Sequence, residues 1–325
     1  MIHKEHEILR VEHLSKHFKV GYKKVLKAVD DVCFSLNRGE TLGIVGESGC
    51  GKTTLGRTVM NIYQPTSGNM YLENNLLNPN ERGYQRKLAD KIQMVFQDPY
   101  ASLNPRMTVG DIIAEGWAFR NKMSKQEMRD RTVELLKTVG LNSEHANRFP
   151  HEFSGGQRQR IGISRALSME PDIIICDEPI SALDVSVQAQ VMNLLIQLQQ
   201  TRKLTYIFIA HDLSMVRYIS KNILVMYLGS QMEFGPSNDV YRRPLHPYTK
   251  ALFSAIPVPN PRIEQKRQRI LLEGEIPSPI NLPQGCKFST RCKYVQDICR
   301  TELPKTEEIR PGHYCACHFA RTLQY

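Results

Sequence analysis

Gly46-Glu47-Ser48-Gly49-Cys50-Gly51-Lys52-Thr53 lies between an apolar run, Thr41–Val45, and a stretch of helical periodicity from Lys52 to Tyr63. Glycines let this backbone turn so that successive N–H groups converge on one point. The helix that follows brings the positive end of its dipole to the same place. An ammonium at Lys52 and hydroxyls at Thr53 and Thr54 complete a set of groups suited to a polyphosphate with its magnesium. The expected nucleotide-binding residues here are therefore Gly46, Glu47, Ser48, Gly49, Cys50, Gly51, Lys52, Thr53 and Thr54, with Thr53 also a magnesium ligand.

Outward from this loop, apolar runs alternate with helical patterns. Ile8–Val11 and Val32–Leu36 read as short strands, Ile92–Phe96 as a strand ending in Gln97-Asp98-Pro99, and Ile173–Cys176, Leu204–Ala210 and Ile223–Leu228 as buried strands. Helices are expected at about Val109–Phe119, Lys125–Val139, Gly156–Met169, Val187–Gln200 and Leu213–Ile219. Ser124 with Glu127 three residues on is a capping signal for the second of these. Strands alternating with helices imply an α/β fold with a mainly parallel sheet covered on both faces. The purely helical segment at roughly 100–160 should form an inserted lobe. After about residue 255 the texture changes: IPVPNP and EIPSPINLP are proline-rich, and five of the eight cysteines fall between 286 and 317. The expected division is a nucleotide-binding domain over 1–255 and a C-terminal element over 256–325.

Ile173-Ile174-Ile175-Cys176-Asp177-Glu178 is an apolar strand that ends in two carboxylates. Ligands of open α/β sheets bind at such strand ends. Asp177 is expected to hold magnesium, directly or through water, and Glu178 to orient and deprotonate an attacking water.

Further motifs carry a family resemblance. Phe153-Ser154-Gly155-Gly156-Gln157-Arg158-Gln159-Arg160 resembles the ABC signature, Ser181-Ala182-Leu183-Asp184 the D-loop, His211 the switch histidine and Gln97 the glutamine of the Q-loop, all in family order over residues 8–255. The chain is identified as a member of the ABC ATPases. That resemblance implies a P-loop NTPase (RecA-like) core, an antiparallel β subdomain and the helical insert. It makes Ser154, Gly155, Gly156 and Gln157 a phosphate site for nucleotide held by an opposing subunit, and places Asp184 at the same interface. It makes His211 a catalytic partner of Glu178, and Gln97 a contact to magnesium or water. Phe18 is its candidate for stacking on adenine, with Tyr22 second.

Arg243-Pro244-Leu245-His246-Pro247-Tyr248-Thr249-Lys250-Ala251-Leu252 resembles the segment that closes this domain in oligopeptide and dipeptide importers, and the resemblance continues through Glu273–Pro279 to Gly285-Cys286. It implies a complex of two permease subunits, two different ATPase subunits and an extracytoplasmic peptide-binding protein, with this chain peripheral on the cytoplasmic face of the cell membrane. A nickel complex or a glycoside is the alternative cargo of the same architecture. Cys286, Cys292, Cys299 and then Cys315 or Cys317 lack the tight spacing of a zinc ribbon. The resemblance favours Cys317 as the fourth ligand of a 4Fe–4S cluster, with zinc the alternative and Cys315 a spare thiol.

Composition agrees with a globular protein: 41% hydrophobic and 23% charged over 325 residues. No apolar stretch reaches the roughly 18–20 residues that span a bilayer. The start, MIHKEHEILR, has no apolar h-region of a secretory signal. A net charge of +10 raises the question of nucleic acid. The basic residues are scattered, however, with only the short groups Lys23-Lys24, Arg242-Arg243 and Lys266–Arg269. A single motif set without heptads also argues against a nucleic-acid ATPase.

Overall fold

The computed structural model describes residues 6–22, 24–79, 81–120, 123–256 and 269–323. Lys23, most of Lys266–Arg269 and most of IPVPNP lie outside the described residues, as do the first five residues of the N-terminal reading. In chain order the elements are β1 (Glu7–Gly21), β2 (Lys24–Asn37), β3 (Thr41–Val45), α1 (Lys52–Val59), β4 (Ser67–Leu72) and β5 (Asn75–Leu76). Then come α2 (Tyr84–Lys91), β6 (Ile92–Val95), α3 (Pro99–Ser102), α4 (Val109–Arg120), α5 (Lys125–Thr138), α6 (Gly155–Leu167), β7 (Ile173–Asp177), α7 (Val185–Arg202) and β8 (Thr205–Ile209). The chain continues with α8 (Leu213–Ile219), β9 (Asn222–Tyr227), β10 (Ser230–Pro236), α9 (Ser237–Arg242), α10 (Pro247–Ser254), a short helix Asp297–Thr301, β11 (Glu307–Arg310) and β12 (His313–Cys315). It forms two compact units.

The first unit comprises Met1–Asn37, Thr41–Leu77 and Ala210–Tyr325. One antiparallel sheet has the order β2-β1-β4-β5. Its first two strands run 15 and 14 residues, far beyond Ile8–Val11 and Val32–Leu36. Bulges explain the difference. Register shifts between Val11 and Leu14, with His13 and Asp31 at φ 51° and 60°, reset the alternation, and the pairing then continues to Gly21 opposite Lys24. A period-2 pattern broken at a bulge cannot be followed past it in sequence. Elsewhere in this unit β3 pairs parallel with β9, and β9, β10, β12 and β11 continue antiparallel. Every residue of β3 is buried.

The cysteine-bearing tail thus falls in the same compact unit as the phosphate loop, adding β12 to the edge of β10. A fully buried carboxylate, Glu233 of β10, ties the join: it accepts from the backbone N–H of Leu245 (2.9 Å) and His246 (2.8 Å), and His313 Nε2 lies 2.7 Å from its Oε1. Several hydrogen bonds are what a buried charge requires.

The second unit comprises Arg38–Glu40 and Asn78–Ile209. Its strands β6, β7 and β8 are parallel neighbours, and β7 is buried along its whole length. The helices α4, α5 and α6 fall where periodicity puts them, and Ser124 accepts from the Glu127 N–H at 3.2 Å as the capping signal predicts. The helix α2 was not legible, since only Tyr84 and Leu88 are buried in it and two residues make no periodic stripe. Trp117 Nε1 donates to Ser168 O (2.6 Å), joining α4 to the end of α6.

Asp172, at the start of β7, accepts from Arg38 (2.6 Å) and Lys91 (2.6 Å) while its backbone bonds Lys91 O and Thr205 N. Burial acts to raise its carboxyl pKa, but the two cations outweigh this and hold it below the ordinary carboxylate value. A pKa depressed on folding stabilises the fold above the unfolded-state value and loses that contribution as pH falls through the folded one. Asp172→Asn is therefore expected to lower the urea midpoint at neutral pH and to leave a shallower loss of stability below about pH 4, measured by denaturation across pH 3–7.

Candidate nucleotide site

The backbone from Gly46 to Gly51 leaves β3 and enters α1 through three glycines with positive φ, 151° at Gly46, 75° at Gly49 and 104° at Gly51. Two of these positions are also sterically closed. A Cβ at Gly46 would stand 2.2 Å from Met226 O, and one at Gly51 would stand 2.1 Å from Ala28 O. Lys52 Nζ donates to the carbonyl oxygens of Gly46 (2.8 Å) and Glu47 (3.0 Å), so its ammonium lies inside the curl of the loop. Lys52 is 5% exposed, and a cation that dehydrated is available to phosphate oxygens at low dielectric. Cys50 is buried and its thiol is pushed up by burial, although Lys52 acts the other way. It is a packing group rather than a nucleophile. Thr54 lies in the first turn of α1, and its carbonyl accepts from the Thr58 hydroxyl.

Phe18 is half-buried on β1, edge-on to Tyr63 (5.3 Å) with Lys16 Nζ 4.9 Å above its ring. Tyr22 is 89% exposed. Of the two, Phe18 is the more buried. His211 is exposed two residues beyond β8, and the next residue, Asp212, caps α8 through the N–H groups of Ser214 and Met215.

In the second unit, Asp177 ends β7 and is fully buried. Glu178 follows in the left-handed region at φ 46°, where a non-glycine residue is strained. Three hydrogen bonds hold it: its N–H donates to Ile209 O (2.8 Å), and its carbonyl accepts from the N–H (3.2 Å) and hydroxyl (3.0 Å) of Ser181. Gln97 Nε2 donates to Glu178 Oε2 at 2.7 Å, bringing together two residues 81 positions apart. Asp184 accepts from Val187 N and Ser186 Oγ as the N-cap of α7, which lowers its carboxyl pKa. Its carboxylate is engaged with its own helix.

Ser154 caps α6 in a reciprocal box: it accepts from Gln157 N (3.4 Å), and its own N–H donates to Gln157 Oε1 (3.0 Å). Gly156 is required for close packing, because a Cβ would meet Val187 Cγ1 at 2.3 Å. The exposed Ser154 thus stands at the positive end of a 13-residue helix, a position that favours anions.

Cys286, Cys292, Cys299 and Cys317 line a single cavity in the first unit, with Phe288 and His246 among its other walls. Burial raises the thiols of Cys286, to about 12, of Cys317, to about 11, and of Cys292, and neighbouring cysteines raise them further. Cys315 turns away from the cavity and packs with Leu245 and Ala320. Residues two apart in a strand share a face; β12 ends at Cys315, and beyond that end Cys317 lines the cavity while still packing against the Leu245, Cys315 and Ala320 cluster.

A phosphate loop continuous with a parallel strand, a strand-end Asp-Glu pair and a capped glycine helix start define a P-loop ATPase of the cassette type. Residues 29–181 match the family model described as ABC transporter, and residues 232–299 the one described as oligopeptide/dipeptide transporter, C-terminal region. The chain is 55% identical to the putative oligopeptide transport ATP-binding protein YkfD of Bacillus subtilis (strain 168), covering 98% of this chain and 97% of that protein. It is 51% identical to the oligopeptide transport ATP-binding protein AppF of the same strain, over 96% and 97%. The fold resembles the dimeric ATP-binding cassette MJ0796 bound to ADP and Pi, at TM-score 0.64 and 30% identity, covering 71% of this chain and 99% of that one. The chain belongs to the oligopeptide/dipeptide branch of the ABC transporter ATP-binding subunits, and it is an ATPase.

Sequence reasoning gave no role to Tyr248, Lys287 or Arg291, yet all three bear on the phosphate loop. Tyr248 Oη accepts from Glu47 N (2.9 Å), and Arg291 pairs with the Glu47 carboxylate (2.8 Å). Only proximity to Cys286 and Cys292 marks the two cations in sequence.

The steric closure at Gly51 yields a direct test. Gly51→Ala is expected to lose about 2 kcal/mol or more of stability and most nucleotide affinity, read as a drop in melting temperature and a raised Kd for a fluorescent ATP analogue.

Proposed function

We propose that this chain hydrolyses ATP to drive import of oligopeptides or dipeptides through a membrane complex. The observation that carries the reading is that likeness to peptide-transport ATP-binding proteins runs through the tail as well as the cassette. Partners of stated kinds follow from it: two permease subunits, a second and different ATPase subunit, and an extracytoplasmic peptide-binding protein. The chain is then peripheral on the cytoplasmic face. Among the described residues no helix is long and apolar enough to cross a membrane. A groove of about 850 Å³ in the second unit, with Phe119 on its rim 88% exposed, supports a permease contact there.

The chemistry is phosphoryl transfer to water, which demands positioning and charge neutralisation rather than a covalent intermediate. Loop N–H groups and Lys52 hold the phosphates, and Phe18 carries the adenine. Glu178 takes the proton of the attacking water, with Gln97 fixing the direction of the carboxylate. His211 hydrogen-bonds the terminal phosphate. Ser154 to Gln157 and Asp184 serve the nucleotide of the opposing subunit, so both sites close only when two subunits meet. Thr53, Asp177 and Gln97 offer the all-oxygen donor set that magnesium takes, and the ion would neutralise phosphate charge there.

We assign Cys286, Cys292, Cys299 and Cys317 as the ligands of a 4Fe–4S cluster, with zinc the alternative, because four thiols converge on one cavity and that donor set suits either. The cluster would act as a structural clasp.

Glu178→Gln in the assembled transporter is expected to retain ATP binding, abolish hydrolysis and labelled-peptide uptake, and trap the closed pair of ATPase subunits; normal turnover would remove Glu178 as base. Uptake that follows nickel or a glycoside instead of peptides would replace the cargo and leave the ATPase intact. For the tail, anaerobically purified protein should be brown and contain iron and sulfide. Cys317→Ser should bleach it while Cys315→Ser should not, and a colourless zinc protein would favour the other metal.

A further inference from the structure

A carboxylate inside a phosphate-binding loop is an electrostatic liability. Glu47 follows the first glycine of the loop, and its carbonyl is bonded by the very ammonium, Lys52, that serves phosphate. Left alone, its negative charge would oppose a triphosphate across a few ångströms of protein at reduced dielectric. The structure pairs it. Arg291 Nη1 donates to Glu47 Oε2 at 2.8 Å, with the arginine side chain only 7% exposed, and the same nitrogen reaches Tyr227 Oη at 3.4 Å.

The other end of the loop is held as well, through one relay. Lys287 Nζ, on a side chain 4% exposed, donates to Asp30 Oδ2 (2.8 Å), Leu228 O (3.2 Å) and Ser230 Oγ (2.6 Å). The turn it grips bonds the loop directly: Gly229 N donates to Cys50 O (2.9 Å), and Asp30 N donates to Gly229 O (2.8 Å). Burial tends to lower the Lys287 pKa, and Asp30 opposes that. A buried ammonium with three acceptors is a built joint, since leaving any of its partners unmet is costly.

Both cations belong to one short piece of chain, each adjacent to a cysteine of the tail cavity: Lys287 after Cys286 and Arg291 before Cys292. Backbone bonds from Ser289 to Cys286 O, from Arg291 to Phe288 O and from Cys286 to Cys299 O make that piece a tight knot. Phe288 fixes it against Tyr227 and Tyr248, with ring centroids 5.4 Å away in both cases, and Tyr248 is the group that receives Glu47 N–H.

We propose that the cysteine-bearing segment is a working part of the nucleotide site, in which Arg291 neutralises Glu47 and Lys287 anchors the turn behind Cys50, both as positioning residues for ATP binding. The tail then does more than clasp itself: its integrity sets the charge and shape of the phosphate loop. Coupling of this kind is reciprocal, so nucleotide in the loop must also tighten the tail.

The test uses full-length protein and Mg-ATP. Arg291→Gln exposes the Glu47 charge and should weaken ATP binding about tenfold, the scale of removing one partner of a part-buried charge pair. The double variant Glu47→Gln/Arg291→Gln should recover most of the affinity that Arg291→Gln loses, because no charge is then left unpaired. A double variant as weak as Arg291→Gln would overturn the neutralising role, as would an Arg291→Gln chain with unchanged affinity. Should Arg291→Gln fail to fold, the unmodified chain still decides: hydrogen exchange across residues 285–295 should slow on adding Mg-ATP, and unchanged exchange there would overturn the coupling. The inference takes residues 46–54 as the phosphate site; failure of the unmodified chain to bind ATP at all would sink that reading instead, and is a separate result.

Discussion

Six residues of backbone, Gly46 to Gly51, have to hold a shape that most side chains forbid, and the first unit is organised to hold it. Amide groups become an anion site only when they point the same way at the same time, and a free loop would spend its time in other conformations. The glycines make the shape possible but also make its alternatives cheap. What removes the alternatives is the surroundings. Gly229 bonds Cys50 O from one side, Tyr248 receives Glu47 N–H from another, and Lys52 bridges two of the loop's own carbonyls. The carboxylate pair of Glu47 and Arg291 adds a charged stay.

Seen from that loop, the tail is not an appendage. Its cations, its aromatic residue Phe288 and its strand β12 all meet structure that carries the loop or its neighbours. Buried Glu233 repeats the logic at the sheet edge, where two groups from the approach to α10 and one from β12 satisfy one carboxylate. A small cysteine-rich segment has too little apolar surface to fold on its own core. Leaning on the cassette supplies what it lacks.

Much of this was legible in sequence, and the reasons are specific. Buried parallel strands such as Ile173–Asp177 are continuous apolar runs, and the loop motif is local, so both survive reading without a structure. The bulged ribbon of β1 and β2 did not survive, because its alternation is reset at His13 and Asp31. Nor did the strain at Glu178, which comes from hydrogen bonds to Ile209 and Ser181, or the pairing of Gln97 with it across 81 residues. Arg291 was invisible for a different reason. Nothing in a lone arginine announces a partner 244 residues away.

The capped start of α6 carries one more consequence. With its oxygen accepting from Gln157 N–H, the Ser154 hydroxyl still has its proton to donate to a group outside the helix. The residue has become a one-way valve for hydrogen bonds, accepting inward and giving outward. Aspartate would cap the same helix as well, but it can only accept, and its charge has the wrong sign for a phosphate. At this position a change of one functional group separates keeping the helix from keeping the anion.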